Sequence, residues 1–159
     1  MATTNLVPKQ LLYEEFVGRM EKAHAAGFYF EAILLAQTIL GNRLRSLLRN
    51  SGGEGKYGHG KPISTLGRKL EELSRRANKD AVLKANFEHD RLDAWRQERT
   101  NLLRAMAEAS LTVQKIDAKA KTLADDGMEL VRRYSMACRL LRAQRKEAKL
   151  PLSIRESRQ

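Results

Sequence analysis

The chain of 159 residues is poor in the residues and segments that mark several classes of protein. Its one cysteine, Cys138, excludes an internal disulfide and cannot by itself form a structural zinc site. The longest uninterrupted apolar run is the five residues 32–36, far short of the roughly 20 that a membrane-spanning helix needs. The N-terminus has neither the basic start nor the apolar stretch of a signal peptide. These absences predict a soluble, cytoplasmic protein that is not bound to a membrane and holds no metal ion or cofactor.

Aromatic residues and prolines are also scarce. The four Phe, four Tyr and one Trp mostly lie at the spacing of a helical core, so the sequence gives no sign of the aromatic platforms on which single-stranded nucleic acids stack. The three prolines, Pro8, Pro62 and Pro151, fall between the apolar patterns rather than inside them. No segment shows the strict alternation that is typical of a strand, and there is no internal repeat.

What the sequence does contain is helical periodicity. Apolar residues recur every three or four positions in five stretches, which begin after Pro8, at Phe28, near Ser64 or Thr65, near Asp80 and near Thr112. The fourth stretch is expected to run to Ala109 with a bend near His89. Residues 51–61 contain five glycines and no apolar pattern, which predicts a flexible loop between the second and third helices. We therefore predict an all-α, up-and-down bundle of about five helices, with one domain over residues 1–146 and a basic, disordered tail over 147–159.

The charge is strongly positive and unevenly distributed. The 30 Lys and Arg exceed the 19 Asp and Glu by 11, and residues 132–159 alone hold 9 basic and 2 acidic side chains, a net of +7. A basic block of this kind attracts phosphate and is one indication of nucleic-acid binding, although a solvated helix end explains it equally well. The candidate nucleic-acid-binding residues are basic side chains of the last two helical stretches: Arg96, Arg132, Arg133, Arg139, Arg142, Arg145 and Lys146.

One charged residue, Arg99, lies where the apolar pattern of the fourth stretch predicts a core residue. It falls on the same helical stripe as Trp95 and Leu102, so its guanidinium should point toward a buried or interfacial surface. Burial of an arginine is unfavourable unless the side chain is paired or meets a ligand. Three interpretations of Arg99 fit this pattern: a structural ion pair with an acid, an arginine whose guanidinium reaches water, and an arginine that binds a ligand.

The residues that follow Arg99 resemble the motif of the HEPN superfamily, whose name stands for higher eukaryotes and prokaryotes nucleotide-binding. The hallmark of that family is an arginine followed, after four to six residues, by a histidine. Residues 99–104, Arg-Thr-Asn-Leu-Leu-Arg, contain the arginine, a polar residue after it and the spacing, but Arg104 stands in the place of the histidine. The helical pattern, the glycine-rich loop and the long closing helix agree with the family over roughly residues 10–145.

The resemblance implies a metal-independent endoribonuclease of the toxin or phage-defence type, active as a homodimer, with an antitoxin or another regulatory protein as a further partner. The catalytic residues would be Arg99, Thr100, Asn101 and Arg104, and the substrate would be RNA. Because arginine stays charged at any ordinary pH, Arg104 can bind phosphate but cannot exchange a proton as histidine does. Cleavage is therefore expected to be weak or absent. The alternative is a non-catalytic module that binds nucleic acid or another partner through the basic C-terminal helix and tail.

Two other groups of polar residues have a spacing that bears on chemistry. Arg19 and His24 match the spacing of the same motif on the first helix, but the apolar Met20 follows the arginine, and an exposed charged face explains the pair as well. Asp125 and Asp126 are adjacent, so their side chains diverge on a helix and form a poor acid–base couple.

Overall fold

A computed structural model describes residues 8–52, 56–57 and 61–149, and it confirms the predicted all-α helical bundle. The described residues form six helices: α1 (Lys9–Ala25), α2 (Tyr29–Asn50), α3 (Leu66–Ala77), α4 (Ala81–Asn86), α5 (His89–Ala107) and α6 (Val113–Lys149). The helix ends follow local sequence signals. Gly27, between α1 and α2, has the left-handed φ of +80° that glycine adopts without strain. The Thr65 side chain caps α3 by accepting a hydrogen bond from the Arg68 amide at 3.3 Å.

The fourth predicted stretch is two helices rather than one bent helix. The chain leaves helical geometry at Phe87, whose φ and ψ of −128° and 114° are those of extended backbone. Tyr134 on α6 holds this break, because its hydroxyl donates a hydrogen bond to the Glu88 carbonyl and its ring lies edge-on to that of Phe87, with 6.3 Å between the centroids. The Asp80 side chain caps the start of α4 by accepting from the Leu83 amide at 3.0 Å.

The glycine-rich segment differs from the predicted loop in its described part. Residues Lys56–Tyr57 pair antiparallel with Lys61–Pro62, so that Lys56 lies opposite Pro62 and Tyr57 opposite Lys61. We expected no strand, because five glycines disfavour regular structure, but pairing two residues on each side requires only a local closure of the chain. The prediction for residues 53–55 and 58–60 lies outside the described residues.

The chain divides into two compact units. Unit 1 comprises the described residues up to Leu40 together with Gln97–Val131; unit 2 comprises Gly41–Arg96 and the described residues from Arg132 onwards. Helices α2, α5 and α6 each continue from one unit into the other. Helix α6 runs to Lys149, three residues into the predicted tail, and the remainder of that tail lies outside the described residues.

Each unit has a buried apolar core that follows the predicted spacing. In unit 1 the buried side chains include Met20, Ile33, Ile39, Leu40, Leu102, Leu123 and Leu130. In unit 2 they include Leu44, Leu47, Leu48, Leu70, Leu73, Leu83, Leu92 and Leu141. Cys138 is buried in unit 2, where its thiol donates to the Arg43 carbonyl at 3.3 Å and burial raises its pKa.

Candidate functional site

The four residues that the family resemblance implicates all lie on α5, but they do not converge. At 3.6 residues per turn, Arg99 and Arg104 are separated by about 140° around the helix axis. Thr100, Asn101 and Arg104 are exposed and lie within one side of the helix, whereas Arg99 is only partly exposed. The structure therefore brings the three exposed residues to one face and directs Arg99 to another.

Arg99 lies on the buried side of its helix. Its Nε and Nη1 atoms are buried, and the residue takes part in an interaction within the chain. Leu102, three positions further on, is buried on the same side. This environment favours the structural role that the sequence left open for Arg99 over contact with a large, solvent-borne substrate.

A cavity of about 600 Å³ lies in unit 1 between α5 and α6. Its lining consists of Glu98, Asn101, Leu102, Ala105, Leu111, Ala118, Lys119, Thr122, Leu123 and Asp126. Asn101 belongs to the lining, whereas Arg99, Thr100 and Arg104 do not. Two carboxylates against one ammonium group make this cavity unfavourable for a phosphate, because like charges repel.

The remaining sequence candidates in unit 1 form ordinary contacts between side chains. Arg19 Nε donates to Glu15 Oε1 at 2.8 Å on the exposed face of α1. His24 donates through Nε2 to Asp125 Oδ1, which links the end of α1 to α6, and its ring lies 5.8 Å from that of Tyr29. Asp125 and its neighbour Asp126 point in different directions, as expected for adjacent helical residues, since only Asp126 lines the cavity.

Formal charge separates sharply between the two units. Over the described residues, unit 2 carries 20 Lys and Arg against 7 Asp and Glu, a net of +13, whereas unit 1 carries 8 against 10, a net of −2. Counting along the sequence places only the last 28 residues in the basic block. Residues 41–96 have a net charge of +6, and in the structure they belong to the same unit as that basic block.

Four of the seven predicted nucleic-acid-binding residues are engaged within unit 2. Arg96 binds Asp93 Oδ1 through Nε at 3.0 Å and Nη2 at 2.8 Å. On α6, Arg133 Nη1 donates to Glu88 Oε2 at 2.9 Å, Arg142 Nη2 donates to Ser46 Oγ at 2.9 Å, and Arg145 forms an ion pair with Asp80. These contacts reduce the freedom of the four side chains to bind a partner.

The acid partner of Arg145 keeps its negative charge near neutral pH. Burial opposes ionisation of Asp80, but hydrogen bonds from the Leu83 amide and from Arg145 outweigh it and lower the pKa of the carboxyl group. Asp80 therefore caps α4 and holds Arg145 at the same time. The guanidinium of Arg145 is consequently part of the fold of unit 2.

The other three predicted residues form what we call the cation stripe: Arg132, Arg139 and Lys146. All three are exposed, and none makes a hydrogen bond or ion pair with another residue in the described ranges 8–52, 56–57 and 61–149. Seven residues separate each from the next, so they lie about 10.5 Å apart along α6 and turn by only about 20° per step. Among the described residues, the structure thus presents a row of three cations without a partner in the fold.

Two further basic residues of this unit, Arg45 and Arg49, were not identified from the sequence. Both are exposed on α2, four residues apart and therefore on one side of that helix. The contacts from Arg142 to Ser46 and from Cys138 to the Arg43 carbonyl hold this part of α2 along α6. Their spacing within the polar face of α2 is the signal that could have revealed them.

The described residues contain neither a group of three or more His, Cys, Asp and Glu side chains able to hold a metal ion nor a helix long and apolar enough to cross a membrane. Comparison of the chain with protein-family models, curated proteins and solved structures gives no match.

Proposed function

We propose that this protein binds RNA, without cleaving it, through the phosphate backbone and the basic surface of unit 2. The observation that supports the proposal is the partition of charge, with +13 on unit 2 and −2 on unit 1 over the described residues. Cations that bind phosphates release condensed counterions from the nucleic acid, and this release favours association. The cation stripe supplies side chains that can do so without breaking an interaction among the described residues.

The location of the implied catalytic residues also favours RNA binding at unit 2 over RNA cleavage at α5. Arg99 and Arg104 belong to unit 1, whose net charge is slightly negative. A polyanion is drawn to the unit that carries the positive charge, and contacts with backbone phosphates carry no sequence information. We therefore expect binding of RNA with little sequence preference.

Fluorescence anisotropy of a labelled RNA strand, measured over a range of salt concentrations, tests the proposal. For a single strand, log K falls with log salt by about 0.7 per phosphate contacted, so three stripe contacts contribute a slope of about 2. Replacing Arg132, Arg139 and Lys146 together by alanine should remove that contribution. Over a fourfold rise in salt, the affinity of the natural protein should then fall about 16-fold more than that of the variant.

A variant of unit 1 with the same change in net charge is the matched control. Lys22, Lys115 and Lys121 are exposed side chains of that unit. Their joint replacement by alanine should leave the slope unchanged. Equal losses in the two triple variants would mean that only total charge matters, and an absence of RNA binding by the natural protein would refute the proposed function.

A second candidate function is the inactive or impaired HEPN-like ribonuclease, together with the homodimer and the regulatory protein partner that the resemblance implies. The observation that favours it is the exposure of Thr100, Asn101 and Arg104 on one face of α5. In such an enzyme the RNA 2′-hydroxyl must lose a proton as it attacks the phosphate, and Arg104 cannot accept it. An Arg104→His variant should then gain RNA cleavage relative to the natural protein, whereas failure of both to cleave several RNAs would exclude this candidate.

A further inference from the structure

Two large apolar side chains, Met136 and Leu140, lie exposed beside the cation stripe on α6. Their exposed fractions are 57% and 48%, so each offers about half of its surface to a partner. They lie about 40° and 80° from Arg132 around the helix axis and about 6 Å apart along it. We call this pair the apolar ridge.

The opposite side of α6 restricts how a nucleic acid can approach. Tyr134, Cys138 and Leu141 are buried there, so a nucleic acid approaches this part of α6 from the face that carries the cation stripe and the apolar ridge. The major groove of an RNA duplex is too deep and narrow to admit side chains, so an RNA double helix would present its phosphates and 2′-hydroxyls to this face. The ridge would then lie against charged phosphates and gain nothing from being covered.

We propose that unit 2 binds single-stranded nucleic acid, with phosphates on the cation stripe and unstacked bases on the apolar ridge. The inference rests on the proposed function and adds which form of nucleic acid is bound. The bases of a single strand expose the flat, largely apolar surfaces that a duplex hides by stacking, and covering the ridge with them removes apolar surface from water. The ridge supplies apolar contact where the sequence offers no aromatic platform.

The dimensions of the stripe set the length of strand that it binds. From Arg132 to Lys146 the stripe extends about 21 Å. At about 3.4 Å per nucleotide step this spans about six steps, and fewer if the strand is stretched. Affinity should therefore rise with strand length up to about seven nucleotides and change little per site beyond that.

An abasic strand isolates the contribution of the bases because it keeps every phosphate. The test is to measure the affinities for a 12-nucleotide oligouridine RNA and for a 12-unit abasic strand by fluorescence anisotropy at one fixed salt concentration. The natural protein should bind the RNA about tenfold more tightly than the abasic strand, since two half-exposed apolar side chains become covered. Joint replacement of Met136 and Leu140 by alanine should bring the two affinities within about twofold and leave the salt slope unchanged.

Leu103 and Val113 provide the matched control, since they are exposed apolar residues of unit 1, with exposed fractions of 53% and 68%. Their replacement by alanine should preserve the preference for the RNA. Equal affinity of the natural protein for the two strands, or tighter binding of a 12-base-pair RNA duplex than of the single strand, would overturn the inference while leaving the proposed function intact. Binding of none of the three probes would overturn both.

Discussion

Replacement of Glu72 by glutamine tests the buried ion pair in unit 2. Glu72 is 2% exposed and accepts three hydrogen bonds, from Arg75 Nε at 2.9 Å, Arg75 Nη2 at 2.6 Å and Arg76 Nε at 2.9 Å. Arg76 continues the network, because its Nη1 donates to the Leu48 carbonyl at 2.8 Å and to Ser51 Oγ at 3.3 Å. The carboxylate thus orients the arginine that binds the C-terminal end of α2.

The expected loss of stability follows from the exposure of the two arginines. A hydrogen bond to a charged group contributes about 1 kcal/mol more than a neutral one. The bonds from Arg75 are discounted because its side chain is 65% exposed, whereas that of Arg76 is 13% exposed. Glutamine is neutral, so it would also remove the negative charge that offsets the burial of the positively charged Arg76 guanidinium. We expect Glu72→Gln to lower the free energy of unfolding by about 2 kcal/mol, or the melting temperature by about 4–8 °C.

Thermal unfolding followed by circular dichroism at several pH values distinguishes this explanation from a packing defect. The hydrogen bonds from Arg75, opposed by burial and reinforced by Arg76, lower the pKa of the Glu72 carboxyl. The stabilisation is therefore complete above the unfolded-state pKa of about 4.3 and is lost as the pH falls through the lower folded-state pKa. The difference between the natural protein and the variant should be full at pH 7 and should narrow below about pH 4.

The neighbouring Glu71 is the control, since it is exposed on the same helix and Glu71→Gln should cost less than about 0.5 kcal/mol. A difference for Glu72→Gln that stays constant from pH 7 to pH 3.5 would refute the electrostatic explanation. So would equal melting temperatures for the two variants.

Three other side chains give shorter tests. Asp80→Ala should destabilise the protein by about 1–2 kcal/mol in chemical denaturation because α4 loses its cap, and Asp80→Asn, which can still accept from the Leu83 amide, should lose less. Tyr134→Phe should cost about 1–2 kcal/mol in the same assay, since the Glu88 carbonyl loses its donor; an unchanged midpoint would contradict the role of this contact in the break. Cys138 should react with a thiol reagent at pH 8 far more slowly in the folded than in the unfolded protein, because burial raises its pKa and limits access; equal rates would contradict its burial.

Local signals were sufficient to predict most of the fold. Apolar spacing located the helices, and the third stretch was expected to begin near Ser64 or Thr65, of which Thr65 is the cap in the structure. The break at Phe87 was not predictable in the same way, since the residues on either side have helical patterns. It is stabilised by Tyr134, which lies 46 positions along the chain from its hydrogen-bond partner Glu88.

The candidate site was predicted only in part, for a similar reason. The basic residues of α6 are recognisable in the sequence, but the sequence does not distinguish those that bind other parts of the fold from those that do not. Arg145 meets an acid 65 positions away, and Arg142 meets a serine 96 positions away. Arg132, Arg139 and Lys146 can be recognised as a separate set only once the distant partners of the other basic residues of α6 are known.

The continuity of α2, α5 and α6 through both units has a consequence for how the protein unfolds. If one unit opened while the other stayed folded, each of these helices would have to end in its middle. A new helix end leaves four amides or four carbonyls without partners in the helix. Unfolding of one unit alone would create such unpaired backbone groups in three helices. We therefore expect hydrogen exchange of the most protected amides in the two units to report one common opening free energy, as in a single cooperative transition.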